Sequence, residues 1–142
     1  PAVGRWLRPE PLTPFSRADL ERMAARDRAH WDRHGYGPWA IFERDSPEVF
    51  VGRGGLAWAK VDGRQEVELP WAILPEFQRR GYATEMARAA IETARACGLD
   101  RLVSLTLPDN RASRGVMEKA GLCLVGEVEH AGLPHVLYEM KL

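Results

Sequence analysis

The residues Gln78-Arg79-Arg80-Gly81-Tyr82-Ala83 carry the clearest chemistry in this chain. They lie between a strand-like run, Val67 to Leu74, and a helix-like run, Thr84 to Cys97. A turn from a strand into a helix leaves several backbone N–H groups unpaired and pointing one way. With the positive end of the helix dipole, such groups form a seat for phosphate oxygens. Arg79 and Arg80 add cationic charge beside that seat. The bland alternative is an ordinary strand–helix turn. A Walker loop is excluded because no Gly-Lys-Ser/Thr follows, and a dinucleotide fingerprint because the segment has a single glycine.

Other side chains have chemical and structural readings side by side. Asn110 and Ser113 stand where a turn meets a helix, where both types are common caps. Glu68, on the strand leading toward the turn, is a candidate general base or a solvated strand carboxylate. Glu76 is the poorer candidate, being close to the phosphate turn. His130 and His135 flank the last turn, where they could serve an acceptor pocket or stay structural. His30 and His34 are spaced for one helix face, but without a third ligand no metal site is expected. Cys97 and Cys123 fit no metal spacing and are expected to be buried thiols rather than a disulfide. The tryptophans read mainly as core, with Trp39 and Trp71 the two candidates for walls of a pocket.

Positioning these residues requires a folded domain, and the composition allows one. At 142 residues, 45% hydrophobic and 28% charged, the chain reads as a single globular domain spanning 1–142. Twenty basic and twenty acidic residues cancel, so bulk charge does not draw the chain to nucleic acid. No run of 18 apolar residues and no signal pattern is present, which predicts a cytoplasmic protein without a membrane span. Pro1–Phe15 is Pro-rich and reads as an extended lead-in. Ser16 and Asp19 open a helix to about His34. Strands follow at Trp39–Arg44, at Val49–Val61 (bent near Gly52, Gly54 and Gly55) and at Val67–Leu74. Asp62-Gly63 marks a hairpin. A helix from about Gly81 to Gly98, a buried strand Leu102–Leu107 and a helix Ala112–Ala120 come next. Strands Leu122–His130 and Val136–Leu142 close the chain around Ala131-Gly132-Leu133-Pro134. The order α-β-β-β-α-β-α-β-β predicts an α/β or α+β fold with a mixed sheet.

The stretch Glu68 to Glu85, containing Gln78-Arg79-Arg80-Gly81-Tyr82-Ala83, resembles the acyl-CoA-binding core of the GCN5-related N-acetyltransferases (GNAT). Asp109-Asn110-Arg111-Ala112-Ser113 through Glu118-Lys119-Ala120-Gly121-Leu122 resembles the second signature of that superfamily. The likeness runs from about residue 16 to the C-terminus, and the branch it most resembles is the ribosomal-protein N-terminal acetyltransferases. It implies a mixed, mostly antiparallel sheet flanked by helices, with splayed central parallel strands. Acetyl-CoA is the implied co-substrate, with no metal. Its pyrophosphate would rest on Gln78, Arg79, Arg80, Gly81, Tyr82, Ala83 and Thr84. Its pantetheine arm would lie along Trp71, Ala72 and Ile73, with Asn110 bonding the arm and Ser113 donating to the sulfur. Many members carry a tyrosine on the second helix as acid for the thiolate; here Met117 and Glu118 stand near that place. Branch members also begin with a strand and helix, so the domain is expected to be N-terminally incomplete, with an exposed sheet edge that a second copy would cover as a homodimer.

The implied reaction is direct attack of a primary amine on the thioester in a ternary complex. The amine, on a protein N-terminus or a small molecule, must be neutral. At pH 7 that costs ~4.6 kcal/mol for a lysine side chain but only ~1 kcal/mol for an α-amine. Two rivals stand beside this reading: a catalytically weak acyl-CoA-binding or sensor protein on the same fold, and a nucleotide-binding module.

Overall fold

The computed structural model describes residues 16–142. The lead-in Pro1–Phe15, and with it the expectation about missing N-terminal elements, lies outside the described residues.

Helix α1 spans Arg17–His34 and opens with a full capping box: Asp19 N–H donates to Ser16 Oγ, and Ser16 N–H donates to Asp19. Two orphan amides are satisfied at once, which fixes where the helix begins. It ends at Gly35, whose φ of 71° is left-handed backbone that glycine adopts without strain. No α1 residue is buried. The helix is held instead by polar contacts, with Trp31 Nε1–H donating to Pro38 O at 2.8 Å and Asp27 paired to Arg53.

Two long strands each break once and so serve two sheets. The run 50–61 divides into β2 (Phe50–Gly55) and β3 (Ala57–Val61) at Leu56. The run 64–73 divides into β4 (Arg64–Glu68) and β5 (Trp71–Ile73) at Leu69-Pro70. With β1 (Pro38–Phe42), one sheet reads β1-β2-β5. The other comprises β3, β4, β6 (Arg101–Thr106), β8 (Leu133–Lys141) and β7 (Cys123–His130), in the order β3-β4-β6-β8-β7. Among the described residues only β4 and β6 pair in parallel, and every other strand pair is antiparallel. The expected order of elements holds, with each of the two long strands divided in two. Two turns have paired positive φ, Asp62-Gly63 and Ala131-Gly132, matching the twist of the hairpins they close. The second is therefore tighter than the four-residue turn expected, and Leu133 and Pro134 join β8.

Helix α2 (Tyr82–Ala96) packs against β2 and β5, and helix α3 (Arg111–Ala120) packs beside it against β6. Met86, Ala87, Ala90, Ile91 and Ala94 of α2 and Met117 of α3 meet Leu102, Val136 and Tyr138 in the core. Side chains alternate across a strand. Since Leu102, Ser104 and Thr106 pair with Met140, Tyr138 and Val136, that whole set faces the helices. The opposite face then carries Val103 and Leu105 with Leu137 and His135. Register adds Glu68, which pairs with Val103, and His130, which pairs with Leu133.

Both cysteines are free and exposed, against the expectation of buried thiols. Cys97 caps the end of α2, and Cys123 opens β7 on the side away from the core. Nearby Ala94 and Leu122, not the thiols, point inward.

Candidate functional site

The site is built where β4 and β6 part. Glu68 and Val103 are the single registered pair of these strands, and Leu69 N–H still donates to Val103 O at 2.8 Å. Pro70 follows and has no N–H to continue the ladder. β5 then turns to pair with β2, while β6 runs on to Thr106. Ser104 Oγ–H, buried, donates to Leu69 O at 2.8 Å and closes the base of the gap. Trp71, Ala72 and Ile73 line the resulting cavity, whose volume is about 960 Å³.

One end of the cavity is the turn into α2. Gln78 lines the cavity, while its N–H donates to Pro75 O and one Nε2–H to Ile73 O at 2.9 Å. It ties the turn to the end of β5. Arg79 (φ 62°) and Gly81 (φ 87°) are both left-handed. A Cβ on Gly81 would meet nothing within 4 Å, so backbone conformation, not crowding, is what calls for glycine there. Gly81 is the N-cap of α2, and no side chain caps that end. The first intrahelical bond is Glu85 N–H to Gly81 O, which leaves the preceding amides of the helix start free for an anion. Tyr82 Oη–H donates to Glu43 at 2.8 Å, pinning the loop after β1 beside the turn; this bond raises the phenol's pKa. Arg79 lines the cavity, whereas Arg80 stands outside its lining, its guanidinium 5.6 Å from the centre of the Phe77 ring. Ala83 and Thr84 line the cavity as expected.

The opposite wall is the start of α3. Asn110 is buried and is the N-cap, its Oδ1 accepting from Ser113 N–H at 3.2 Å. The capping reading is therefore realised, and it leaves the Ser113 hydroxyl on the cavity wall. A partly buried network sets the pose of this helix. Arg114 donates to Tyr138 Oη and Pro108 O, and Tyr138 Oη–H donates to Glu118 at 2.8 Å. Met117 points into the core, and α3 carries no tyrosine.

Glu68 lines the cavity below the gap, and burial pushes its carboxyl pKa up to about 7. A carboxylate poised near neutrality is suited to proton transfer. Glu76 is exposed on the short helix before the turn, away from the cavity lining. His130 and His135 also line the cavity, their ring centroids 5.4 Å apart. Trp71 forms part of the wall, but Trp39 packs against the core instead. His30 and His34 lie away from the cavity. His30 accepts from Trp58 N–H, and His34 stacks on the Trp58 ring at 4.7 Å. Among the described residues no group of three potential metal ligands comes together.

The model of the acetyltransferase (GNAT) domain matches residues 1–122. The chain belongs to the GNAT acetyltransferase family. Among its relatives is the uncharacterized N-acetyltransferase YnaD of Bacillus subtilis (strain 168), 33% identical over 70 residues. That match covers 49% of this chain and 41% of YnaD, so less than half the length of this relative is spanned. A GnaT-family structure from Bordetella pertussis superposes with a TM-score of 0.82 at 22% identity, covering 97% of this chain and 85% of that one. The structure of yncA from Salmonella typhimurium, solved with its cofactor acetyl-CoA, has a TM-score of 0.72 at 22% identity, covering 87% and 74%. These likenesses show that the GNAT fold is shared.

Sequence reasoning missed three contributors to this GNAT site. Ser104 and Thr106 line the cavity, and Glu43 braces Tyr82. All three depend on pairings between distant segments, and no local pattern could have announced them. Among the described residues no helix is long and apolar enough to cross a membrane.

Proposed function

We propose that this protein transfers an acetyl group from acetyl-CoA to a primary amine, on a protein N-terminus or a small molecule. The observation that carries this reading is the continuity of one cavity. It runs from the free amides at the start of α2, along Trp71–Ile73, to Glu68. The fit to acetyl-CoA rests on the chemistry at each station. Uncapped amides and Arg79 suit the pyrophosphate. The strand edge left unpaired after Pro70 suits the amide-bearing pantetheine arm, as an added strand would. Asn110 is the candidate partner of that arm, though its Oδ1 is shared with the Ser113 amide.

As co-substrate, acetyl-CoA brings an activated thioester that a neutral amine attacks directly, and no covalent enzyme intermediate is required. Glu68 takes the proton from the amine, directly or through water. At pH values above about 7 it is ionised and ready to do so. A backbone N–H near Ala72 or Ile73 polarises the carbonyl. Ser113 donates to the sulfur as the thiolate leaves. A CoA thiol has a pKa of ~8.5 by analogy with cysteine, so a hydroxyl or water suffices where a tyrosine is absent.

The absence of a tyrosine from α3 favours one second reading, an acyl-CoA-binding protein with little turnover. Release of free thiol from acetyl-CoA on addition of primary amines separates the two. Amine-dependent release with matching N-acetyl product supports transfer. Tight binding without release supports the sensor.

A further inference from the structure

The cavity extends well past the atoms that acetyl transfer needs. Glu68 lies level with Val103 on β6, while His135 stands one position beyond the Val136–Thr106 pair on β8. The two are thus offset by ~13 Å along the strands and two strand spacings, ~10 Å, across them. Both nevertheless line one cavity and share one sheet face, the face turned away from α2 and α3. His130 joins His135 on that face, edge to face at 5.4 Å. These rings are too far from Glu68 to act on the same amine. They are placed to touch a more distant part of whatever carries it.

The chemistry of the pair is set locally. His135 Nδ1 lies 3.0 Å from Leu133 O, and a carbonyl can only accept, so Nδ1 carries the hydrogen. Nε2 of His135 is then left with its lone pair as an acceptor. Burial, and next the neighbouring His135, lower the pKa of His130. A ring-nitrogen acceptor on a half-buried wall suits the N–H groups of an extended backbone better than a carboxylate or phosphate.

We propose that His130 and His135 form a distal subsite for an extended acceptor, a peptide whose amino terminus lies at Glu68 and whose third or fourth residue reaches the histidines. The two offsets combine to ~16 Å between the backbones; four extended residues span ~13 Å, and the Glu68 and His135 side chains, both on the cavity lining, cover the rest. This inference rests on the acetyltransferase reading above. It makes the histidines determinants of acceptor length rather than of chemistry.

The test uses the full chain with acetyl-CoA and two probes, alaninamide and tetra-alanine amide, following thiol release. The wild-type protein should favour the tetrapeptide in kcat/KM by about tenfold, the worth of one or two neutral hydrogen bonds. His135→Ala should bring that ratio close to one, mainly through a raised KM for the tetrapeptide, while Kd for acetyl-CoA stays unchanged by calorimetry. His135→Gln, which keeps an acceptor atom, should restore part of the preference. The proposal is overturned if the short amine is used as well as the long one, or if the preference survives in the His130→Ala/His135→Ala double variant; an enzyme that binds acetyl-CoA but uses neither probe overturns it together with the transfer reading, in favour of the sensor. Failure to bind acetyl-CoA at all would instead remove the acetyltransferase reading beneath it.

Discussion

Replacing Glu68 with glutamine should stabilise this protein in alkaline solution while disabling it. The carboxyl has an ordinary pKa of 4.5, raised by burial in the folded chain to about 7. Folded protein therefore keeps a proton that the unfolded chain gives up. Between those two values stability falls as pH rises, because unfolding releases a proton. The gap of ~2.5 units is worth on the order of 3 kcal/mol, reached in full above pH 7 and shrinking below ~1 kcal/mol by pH 5. Glutamine cannot ionise and escapes this loss. At ~2–4 °C per kcal/mol for a chain of this size, Glu68→Gln should melt roughly 10 °C above wild type at pH 8.5 and close to it at pH 5. Activity should move the other way. With an α-amine acceptor, wild-type kcat/KM should climb about hundredfold per unit below pH 7, where carboxyl and amine must both lose a proton, then about tenfold per unit to the amine pKa of ~7.8 before levelling; the variant should lose ~10²-fold or more at the plateau and keep only the amine limb. Differential scanning calorimetry and a pH–rate profile measure the two effects. Equal melting temperatures at pH 8.5 would show that the carboxyl is not desolvated, and an unchanged pH–rate limb would show that it is not the base.

Three further outcomes follow from the geometry. Ser113→Ala leaves the backbone bond to Asn110 in place, so turnover should fall about tenfold or more with little change in acetyl-CoA affinity; equal loss of both would assign Ser113 a structural role. Asn110→Ala removes the cap of α3 and should cost ~1 kcal/mol of stability, read as a lower denaturation midpoint. Gly81→Val places a β-branched residue at φ 87° and should weaken acetyl-CoA binding, whereas Gly81→Asn, which tolerates that conformation, should keep most of it. Equal effects of the two, measured by calorimetry, would mean that side-chain bulk rather than backbone geometry decides.

The elements that position the site were legible because their signals are local. Ser16 with Asp19 announced α1, Gly121 ended α3, and Asp62-Gly63 closed a hairpin. The turn before α2 was readable from its single glycine between a strand and a helix. What could not be read was where the long strands break. Gly52, Gly54 and Gly55 suggested a bend or bulge, and the register of β1 and β2 does shift beside Gly52, yet the change of sheet falls at Leu56; close approaches to Ala72 O and Met86 demand Gly52 and Gly54, and a φ of 128° demands Gly55. The same limit explains the site. Glu68 was identifiable as a carboxylate on the approach strand, but its desolvation depends on where β4 and β6 part. Arg79 and Arg80 read alike in sequence, and only the folded turn distinguishes Arg79 on the cavity lining from Arg80 beside the Phe77 ring. The exposure of Cys97 and Cys123 followed from strand and helix ends whose outward direction an apolar local context concealed.

The most direct test of the central claim is a calorimetric titration of the protein with acetyl-CoA, with ATP as control. Saturable one-site binding of acetyl-CoA, weakened in Gly81→Val and absent for ATP, is the predicted result. A folded protein that ignores acetyl-CoA, or that binds ATP as well, would contradict the assignment of this cavity to an acyl-CoA.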